Sequence, residues 1–400
     1  MASQNRFQHQ AYPTQPNISP VIRKLTTAFG EQIPLWRLHT DLRIGRIILV
    51  PGTFTGDDPL GVLEALQSAG AGIPGAGSAV ESLADSLRTR LPHLTSRLTG
   101  DVGNFTRDYL DDFAQLLGGD PAVEILTPTW SSQNHHLARA DLAVRLLHHL
   151  AAQSFSADRI ALLWGHSHAG NGFALLTNLL ANHRESVQRF FDAAGPQPEP
   201  HWQQVRELLA QSPSPHPLAR AIAIVTFGTP VRYGWDTDGC RALVHILHHR
   251  NYDQQQPERT RPLFPPIPIS DVLTARYGDW VQTFAIAGTD VMAPVTMNAC
   301  RRLTEFLESS LAEPVITPEL QLIRPEGIRR LCARWKTGTR CHADGLNLLV
   351  QYEPSGETLL NMPVEDSLLG HGVATCRVWL PAHLRLVTSL LLERNAAPSR

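Results

Sequence analysis

Ser167 is the residue of this sequence whose surroundings best fit a chemical role. An apolar run at 159–164 leads into Gly165-His166-Ser167-His168-Ala169, and apolar residues then recur at helical spacing. A serine hydroxyl is a weak nucleophile, so an enzyme that uses one holds it clear of the backbone, beside a base and near oxyanion donors. A sharp strand-to-helix turn does this and needs small residues two positions before and after the serine. The segment therefore predicts a nucleophile elbow, with a plain strand-loop-helix connection as the alternative.

The composition narrows the class of protein. The chain is 42% hydrophobic and 18% charged, which is typical of a globular protein with a sizeable core. Its 35 basic and 37 acidic residues give a net charge of −2, so a nucleic-acid partner is not expected. The five cysteines lack paired metal-ligand spacing and are expected to be reduced core thiols. No metal and no cofactor are predicted.

The first 20 residues are polar, without the basic start and apolar run of a signal peptide. No apolar run approaches the roughly 18 residues needed to span a bilayer. These features predict a cytoplasmic protein without a transmembrane segment. Peripheral membrane contact and export without a signal peptide stay open.

Apolar runs that suit strands alternate with helical patterns along the chain. The runs lie at 33–38, 45–50, 122–127, 221–227, 283–290 and 346–352, besides the one before Ser167. Helical patterns lie at 137–151, 173–180, 297–312, 319–334 and 380–392, and Pro-rich loops are expected at 195–217 and 254–268. This alternation predicts an α/β fold with a mostly parallel sheet, helices on both faces and functional loops at the carboxyl ends of the strands.

The domain organisation follows from the same pattern. Residues 1–32 are expected to form a flexible polar segment, and 33–394 one domain with insertions at about 57–120 and 295–345. The first insertion has a Gly/Ala-rich centre between helical patterns. It is either a mobile apolar lid over an acyl pocket or a helical part of the core.

Three residues that follow predicted strands resemble the catalytic set of the α/β-hydrolase superfamily. Ser167, Asp290 and His371 occur in the family's order of nucleophile, acid and histidine. Thr226-Phe227-Gly228-Thr229-Pro230 resembles a strand end found in lipases, and Leu49-Val50-Pro51-Gly52-Thr53-Phe54 resembles the family's oxyanion loop with Pro51 in place of a histidine. The resemblance covers about 33–392 and is closest to the lipase and esterase branch.

The resemblance implies a role for each residue. Ser167 would be the nucleophile, His371 the base and Asp290 the acid, while the backbone N–H groups of Thr53 and His168 would form the oxyanion hole. Asp236, or Asp238 beside it, is the alternative acid, and Asp290 could instead cap a helix. The side chains of the serine's flanking histidines, His166 and His168, are expected to point away from it. Partly exposed helix positions are expected for His148, His149, His248 and His249.

The implied function is hydrolysis of a carboxylic ester, a lipid or another small acyl ester, through an acyl-enzyme. An acyltransferase or thioesterase would use the same triad with another acceptor or acyl donor. Pro51 and Ala169 depart from the commoner family residues. They motivate a third alternative, a binding module on the same fold that lacks turnover.

Overall fold

The computed structural model describes residues 5–9, 21–26, 37–53, 103–119, 122–152, 159–250, 275, 278–286, 296–308, 343–353 and 368–396. Within these ranges, seven strands form one sheet, in the order β1-β7-β6-β5-β4-β2-β3. All neighbouring strands are parallel. The strands are β1 (Val21–Thr26), β2 (Ile44–Val50), β3 (Glu124–Leu126), β4 (Ile160–His166), β5 (Ile222–Phe227), β6 (Ala242–His248) and β7 (Leu346–Glu353). The predicted α/β class is confirmed.

Helices occupy the connections between the strands. They are α1 (Arg37–Thr40), α2 (Arg107–Leu116), α3 (His136–Ala152), α4 (Ala169–Ala181), α5 (Arg184–Ala194), α6 (Pro200–Gln211), α7 (Trp280–Ile286), α8 (Met297–Glu308) and α9 (Leu380–Ala396). Among the described helices, none combines the length and the hydropathy that crossing a bilayer requires.

The sheet is covered on both faces, which explains why its inner strands are apolar throughout. In β4, Ala161 and Leu163 belong to a core shared with α3, α4, α5 and α6. Leu162 and Trp164 point the other way, into a core shared with α2 and α9. Successive side chains of a strand alternate between the two faces. We call the second side the α9 face.

The strand order reverses between β2 and β4. The chain passes from β2 outward to β3, and then from β4 in the opposite direction through β5 and β6 to β7. In open parallel sheets, ligands bind beyond the carboxyl ends of the strands at such a switch point. Thr53 follows β2 and Ser167 follows β4, so both lie beside this position.

Several predicted elements agree with the structure. The strands expected at 45–50, 122–127, 221–227 and 346–352 are β2, β3, β5 and β7. The helical patterns at 137–151, 173–180, 297–312 and 380–392 correspond to α3, α4, α8 and α9. Residues 54–102, which make up most of the insertion predicted at 57–120, lie outside the described residues, as does 319–334. The described end of that insertion contains α2, which packs into the core on the α9 face.

Four predicted assignments were wrong. The run expected as a strand at 283–290 is helical in its described part, because a short apolar run fits a helix as well as a strand. Residues 37–38 begin α1 rather than ending a strand. The loop expected at 195–217 contains α6, where Pro200 occupies the first turn that proline tolerates. His248 and His249 are buried, and His248 ends strand β6 instead of lying on a helix.

The N-terminal segment also contributes to the fold. β1 pairs with β7 at the edge of the sheet. Phe7 is buried and stacks on Phe190, with ring centroids 5.1 Å apart. Both come from residues 1–32, which the sequence pattern assigned to a flexible extension. The folded part therefore begins before position 33.

Candidate active site

Ser167 occupies a strained turn between β4 and α4. Its φ of 55° lies in the left-handed region that residues with a side chain rarely adopt. Such a conformation costs roughly 1–3 kcal/mol and persists only where the surroundings fix it. This backbone is the one that the elbow pattern predicts, and it lifts the serine above the carboxyl end of β4.

Hydrogen bonds from two neighbouring segments fix the turn. The N–H of Ser167 donates to the carbonyl of Phe227 at the end of β5, at 2.8 Å. Its own carbonyl accepts from the N–H of Gly170 at 3.1 Å and from Oγ1 of Thr229 at 2.8 Å. The Phe-Gly-Thr-Pro segment noted in the sequence therefore braces the serine turn.

The small residues around the serine are required by close packing. A Cβ on Gly165 would lie 2.4 Å from the buried ring of Phe173, and a Cβ on Gly170 would lie 2.1 Å from Oγ1 of Thr229. Neither contact is tolerated between non-bonded atoms. Ala169 is fully buried, so the departure from glycine at that position is accommodated.

His371 lies in the segment between β7 and α9, and its imidazole is bonded to a carboxylate. Nδ1 of His371 lies 2.7 Å from Oδ2 of Asp279, and the two side chains are 4% and 1% exposed. Asp279 comes directly before α7, where its Oδ1 accepts the N–H of Gln282 at 2.7 Å as a helix cap. The helix cap and the bond to His371 together fix both carboxylate oxygens.

The charge state of Asp279 determines what His371 can do. Burial is the largest effect on the pKa of Asp279 and raises it. The positive charge and hydrogen bond of His371 and the Gln282 N–H more than offset burial, so this pKa lies below its usual value. An ionised carboxylate only accepts, so Nδ1 of His371 carries a proton, and in the neutral imidazole the lone pair is then on Nε2. That is the tautomer a general base needs.

Close packing places the imidazole of His371 beside the serine turn. Its ring centroid lies 4.4 Å from that of His166, the residue before Ser167. A Cβ on Gly228, the residue after Phe227, would lie 3.0 Å from Nδ1 of His371 and 2.8 Å from Oδ2 of Asp279. With its φ of 58°, Gly228 provides the flat surface on which the imidazole–carboxylate pair rests.

The hydrogen bonds among the described residues do not include one between the Ser167 hydroxyl and His371. Catalytic hydrogen bonds are often long in enzymes without substrate and shorten in the reacting complex. The structure therefore places the imidazole of His371 beside the serine turn without a hydrogen bond between the two side chains.

The two predicted oxyanion positions flank the serine. A Cβ on Gly52 would lie 2.7 Å from Cβ of Ser167, so the backbone after β2 passes directly against the serine. Thr53 is the next residue along that backbone. His168 follows the serine and precedes α4, where helix N–H groups favour negative charge. Both positions are compatible with backbone donors directed at an oxyanion.

The carboxylate that bonds to His371 is Asp279, which the sequence analysis did not select. Asp290 lies outside the described residues. Asp236, the alternative, is bonded elsewhere: its Oδ2 lies 3.1 Å from Arg6 and 3.2 Å from His183. Asp279 takes the place next to His371. The signal that could have found it is an aspartate three residues before a glutamine, the pattern of a helix cap.

One group among the described residues has metal-ligand types close together. His183, Asp236 and Asp238 bring one ligand atom each to within 4.8 Å of one another. The guanidinium of Arg6 lies 3.1 Å from Asp236 and 3.7 Å from Asp238. This cation already balances the two carboxylates, so the group is explained as an ion-pair network.

No protein-family model, curated protein or solved structure matches this chain. The function is therefore argued from the geometry of the site.

Proposed function

We propose that this protein is a serine hydrolase that cleaves carboxylic esters through Ser167, His371 and Asp279. The observation that carries the proposal is a left-handed serine beyond the end of an interior strand, beside a buried imidazole that is bonded to a carboxylate. A structural serine needs neither the strained backbone nor the adjacent imidazole–carboxylate pair.

The proposed mechanism follows from the tautomer of His371. Nε2 accepts the proton of Ser167 as the hydroxyl oxygen attacks the ester carbonyl, and the imidazolium then donates that proton to the leaving alcohol. Water attacks the resulting acyl-enzyme by the same route, which regenerates the serine. General-base catalysis contributes about 10²–10⁴-fold in rate. The ionised carboxylate of Asp279 keeps the imidazole oriented and stabilises its positive form.

The backbone around the serine would stabilise the oxyanion. The N–H groups of Thr53 and His168 are the proposed donors, since Thr53 follows Gly52, which contacts the serine, and His168 directly precedes α4. A backbone donor needs no particular side chain, so Pro51 in place of the family histidine is compatible with this role.

Membership of the α/β-hydrolase superfamily is part of the same proposal. The order Ser167, Asp279, His371 keeps the family sequence of nucleophile, acid and histidine. Each follows a strand of the parallel sheet, with the serine beside the switch point. Lipid esters as substrates remain a prediction from the segment at 57–120, of which 57–102 lies outside the described residues.

The test is active-site labelling with a fluorophosphonate probe, combined with hydrolysis of 4-nitrophenyl esters of increasing acyl length. We expect one label per chain in the wild type and none in Ser167→Ala, with both proteins unfolding at similar temperatures. Ser186→Ala is the control, because it removes the hydroxyl of a serine on α5, outside the Ser167 turn. Labelling that persists in Ser167→Ala would refute the proposed nucleophile.

The same assay distinguishes the alternatives. An acyltransferase or thioesterase would label at Ser167 but transfer the acyl group to an added alcohol, or prefer a thioester, over hydrolysing the ester. A binding module would neither label nor turn over. Lower activity on emulsified long-chain esters than on dissolved short-chain ones would argue against the lipase form of the proposal.

A further inference from the structure

Two buried histidines that the proposed reaction does not use lie close to His371. His166 ends β4 and His248 ends β6, and they are 1% and 5% exposed. Strand alternation puts both on the α9 face, since Trp164 and Ile246, two positions earlier in each strand, belong to the core on that side. The loop that carries His371 leads into α9 and lies on the same face.

Each histidine bonds to the backbone beside the base. Nε2 of His166 lies 3.2 Å from the carbonyl oxygen of His371, and Nδ1 of His248 lies 2.7 Å from the carbonyl oxygen of Gly370. A carbonyl oxygen accepts and cannot donate, so His166 carries its proton on Nε2 and His248 carries its proton on Nδ1. The two strand ends thereby fix the peptide groups before and after the Cα of His371.

The loop needs such support because of its own conformation. Leu369 and Gly370 have φ values of 55° and 86°, and only short 3-10 turns surround them. The Cα of Gly370 also lies against Gly278, where a Cβ would be 2.4 Å from the carbonyl oxygen. Proton transfer tolerates little displacement of the base, and an error of 1 Å can cost about 100-fold in rate.

The charge of His166 suits this position. Burial, followed by the nearby charge of His371, lowers the pKa of His166 to about 3. It is therefore neutral at ordinary pH, although its ring centroid lies only 4.4 Å from that of His371. A positive charge there would oppose the positive charge that His371 gains when it accepts a proton.

We propose that His166 and His248 are positioning residues, two imidazoles that clamp the backbone on either side of His371 and thereby fix its ring beside Ser167. The proposal rests on the proposed function in one respect, that His371 is the general base.

The test replaces each histidine in two ways. His166→Gln and His248→Asn keep a donor near the positions of Nε2 and Nδ1, whereas His166→Leu and His248→Leu remove it. We expect each leucine variant to lower kcat by about 10- to 100-fold with KM within about threefold. We expect the amide variants to recover kcat to within about fivefold of the wild type.

His245→Leu is the matched control. His245 is buried in the same strand as His248, and its bonds go to Thr226 and to the carbonyl of Asp344. Its strand position directs it to the opposite face from the His371 loop. We expect this variant to lose stability while kcat stays within about threefold of the wild type.

Proton and ¹⁵N NMR tests the clamp independently of activity. Wild-type spectra should show the Nε2–H tautomer for His166 and the Nδ1–H tautomer for His248, and the opposite tautomer at either position would overturn the proposal without any variant. The downfield Nδ1 proton of His371 on Asp279 should persist in the amide variants and broaden or disappear in the leucine variants.

The outcomes separate the two proposals. If the wild type neither reacts with the fluorophosphonate probe nor hydrolyses esters, the proposed function is refuted. The clamp is then tested only by the NMR signals of His166, His248 and His371. An active wild type whose leucine variants keep full kcat and an unchanged His371 signal defeats the clamp and leaves the hydrolase proposal intact. Folded amide variants as impaired as the leucine variants would also defeat the clamp.

Discussion

Replacing Asp279 by asparagine tests the part of the site that the sequence did not reveal. The change keeps the size of the side chain and leaves an oxygen to cap α7, since asparagine caps helices as well as aspartate. It removes the negative charge 2.7 Å from Nδ1 of His371. The amide can also present its N–H₂ group to the imidazole, which would move the proton of His371 to Nε2 and block the lone pair that accepts the serine proton in the proposed mechanism.

The expected loss follows from the charge that develops on His371. With charge centres roughly 4 Å apart and an effective dielectric constant of about 20, the attraction between imidazolium and carboxylate is about 4 kcal/mol. Since each 1.4 kcal/mol corresponds to a factor of about ten, the charge alone accounts for about 10³ in rate. The unfavourable tautomer adds to this, so we expect kcat to fall by about 10³–10⁴.

The assay is steady-state hydrolysis of a short 4-nitrophenyl ester, with fluorophosphonate labelling rates measured in parallel. We expect KM within about threefold of the wild type, because Asp279 is buried behind the imidazole. Asp236→Asn is the matched control, since Asp236 is an equally buried carboxylate that bonds to Arg6 and His183. It should keep kcat within about threefold.

Asp290→Asn completes the comparison. A loss of 10³ or more in this variant, with Asp279→Asn nearly as active as the wild type, would restore the assignment that the sequence suggested. It would also refute the argument that the bond to His371 identifies the acid. A loss below tenfold in Asp279→Asn, with the protein folded, would refute the charge calculation itself.

Three further outcomes are expected. Gly228→Ala should lower kcat by about 10- to 100-fold and the free energy of unfolding by about 1–3 kcal/mol in urea titrations, because its Cβ would meet the imidazole–carboxylate pair in a left-handed backbone. Arg232→Met should lower the free energy of unfolding by about 3–5 kcal/mol, since it removes the cation 2.6 Å from buried Glu308. Adding Glu308→Leu should recover most of this loss, because the carboxylate left without its cation is then removed as well. Equal losses in the single and double variants would contradict this. Burial lowers the pKa of His383 to about 3. Below pH 6.5 the unfolded chain therefore binds a proton that the folded chain does not, so the free energy of unfolding decreases as the pH is lowered. His383→Phe should therefore lose about 2 kcal/mol less unfolding free energy than the wild type between pH 7 and pH 5, and equal losses would show that His383 does not titrate as its burial requires.

The sequence by itself determined those features that depend on short stretches of chain. Apolar runs long enough to be buried on both faces predicted β2, β4, β5 and β7, because a parallel strand covered by helices shows its burial directly in composition. The small residues around Ser167 predicted its strained turn, since a local steric requirement leaves a local signature. His371 was chosen from its glycine-flanked loop, and the structure places it beside that turn.

Only the tertiary structure decided which carboxylate joins His371, because that pairing brings together residues 92 positions apart in sequence. Asp279 looks locally like an ordinary helix cap, and Asp290 fits the family pattern better. The sequence pattern did not predict strand β6 for a related reason. His245 and His248 are polar in sequence, and their burial is favourable only because they bond to Thr226 and to the backbone at 344 and 370. Pairings between distant segments are set by how the sheet is ordered and how the loops pack over its end, and no short stretch of sequence contains that information.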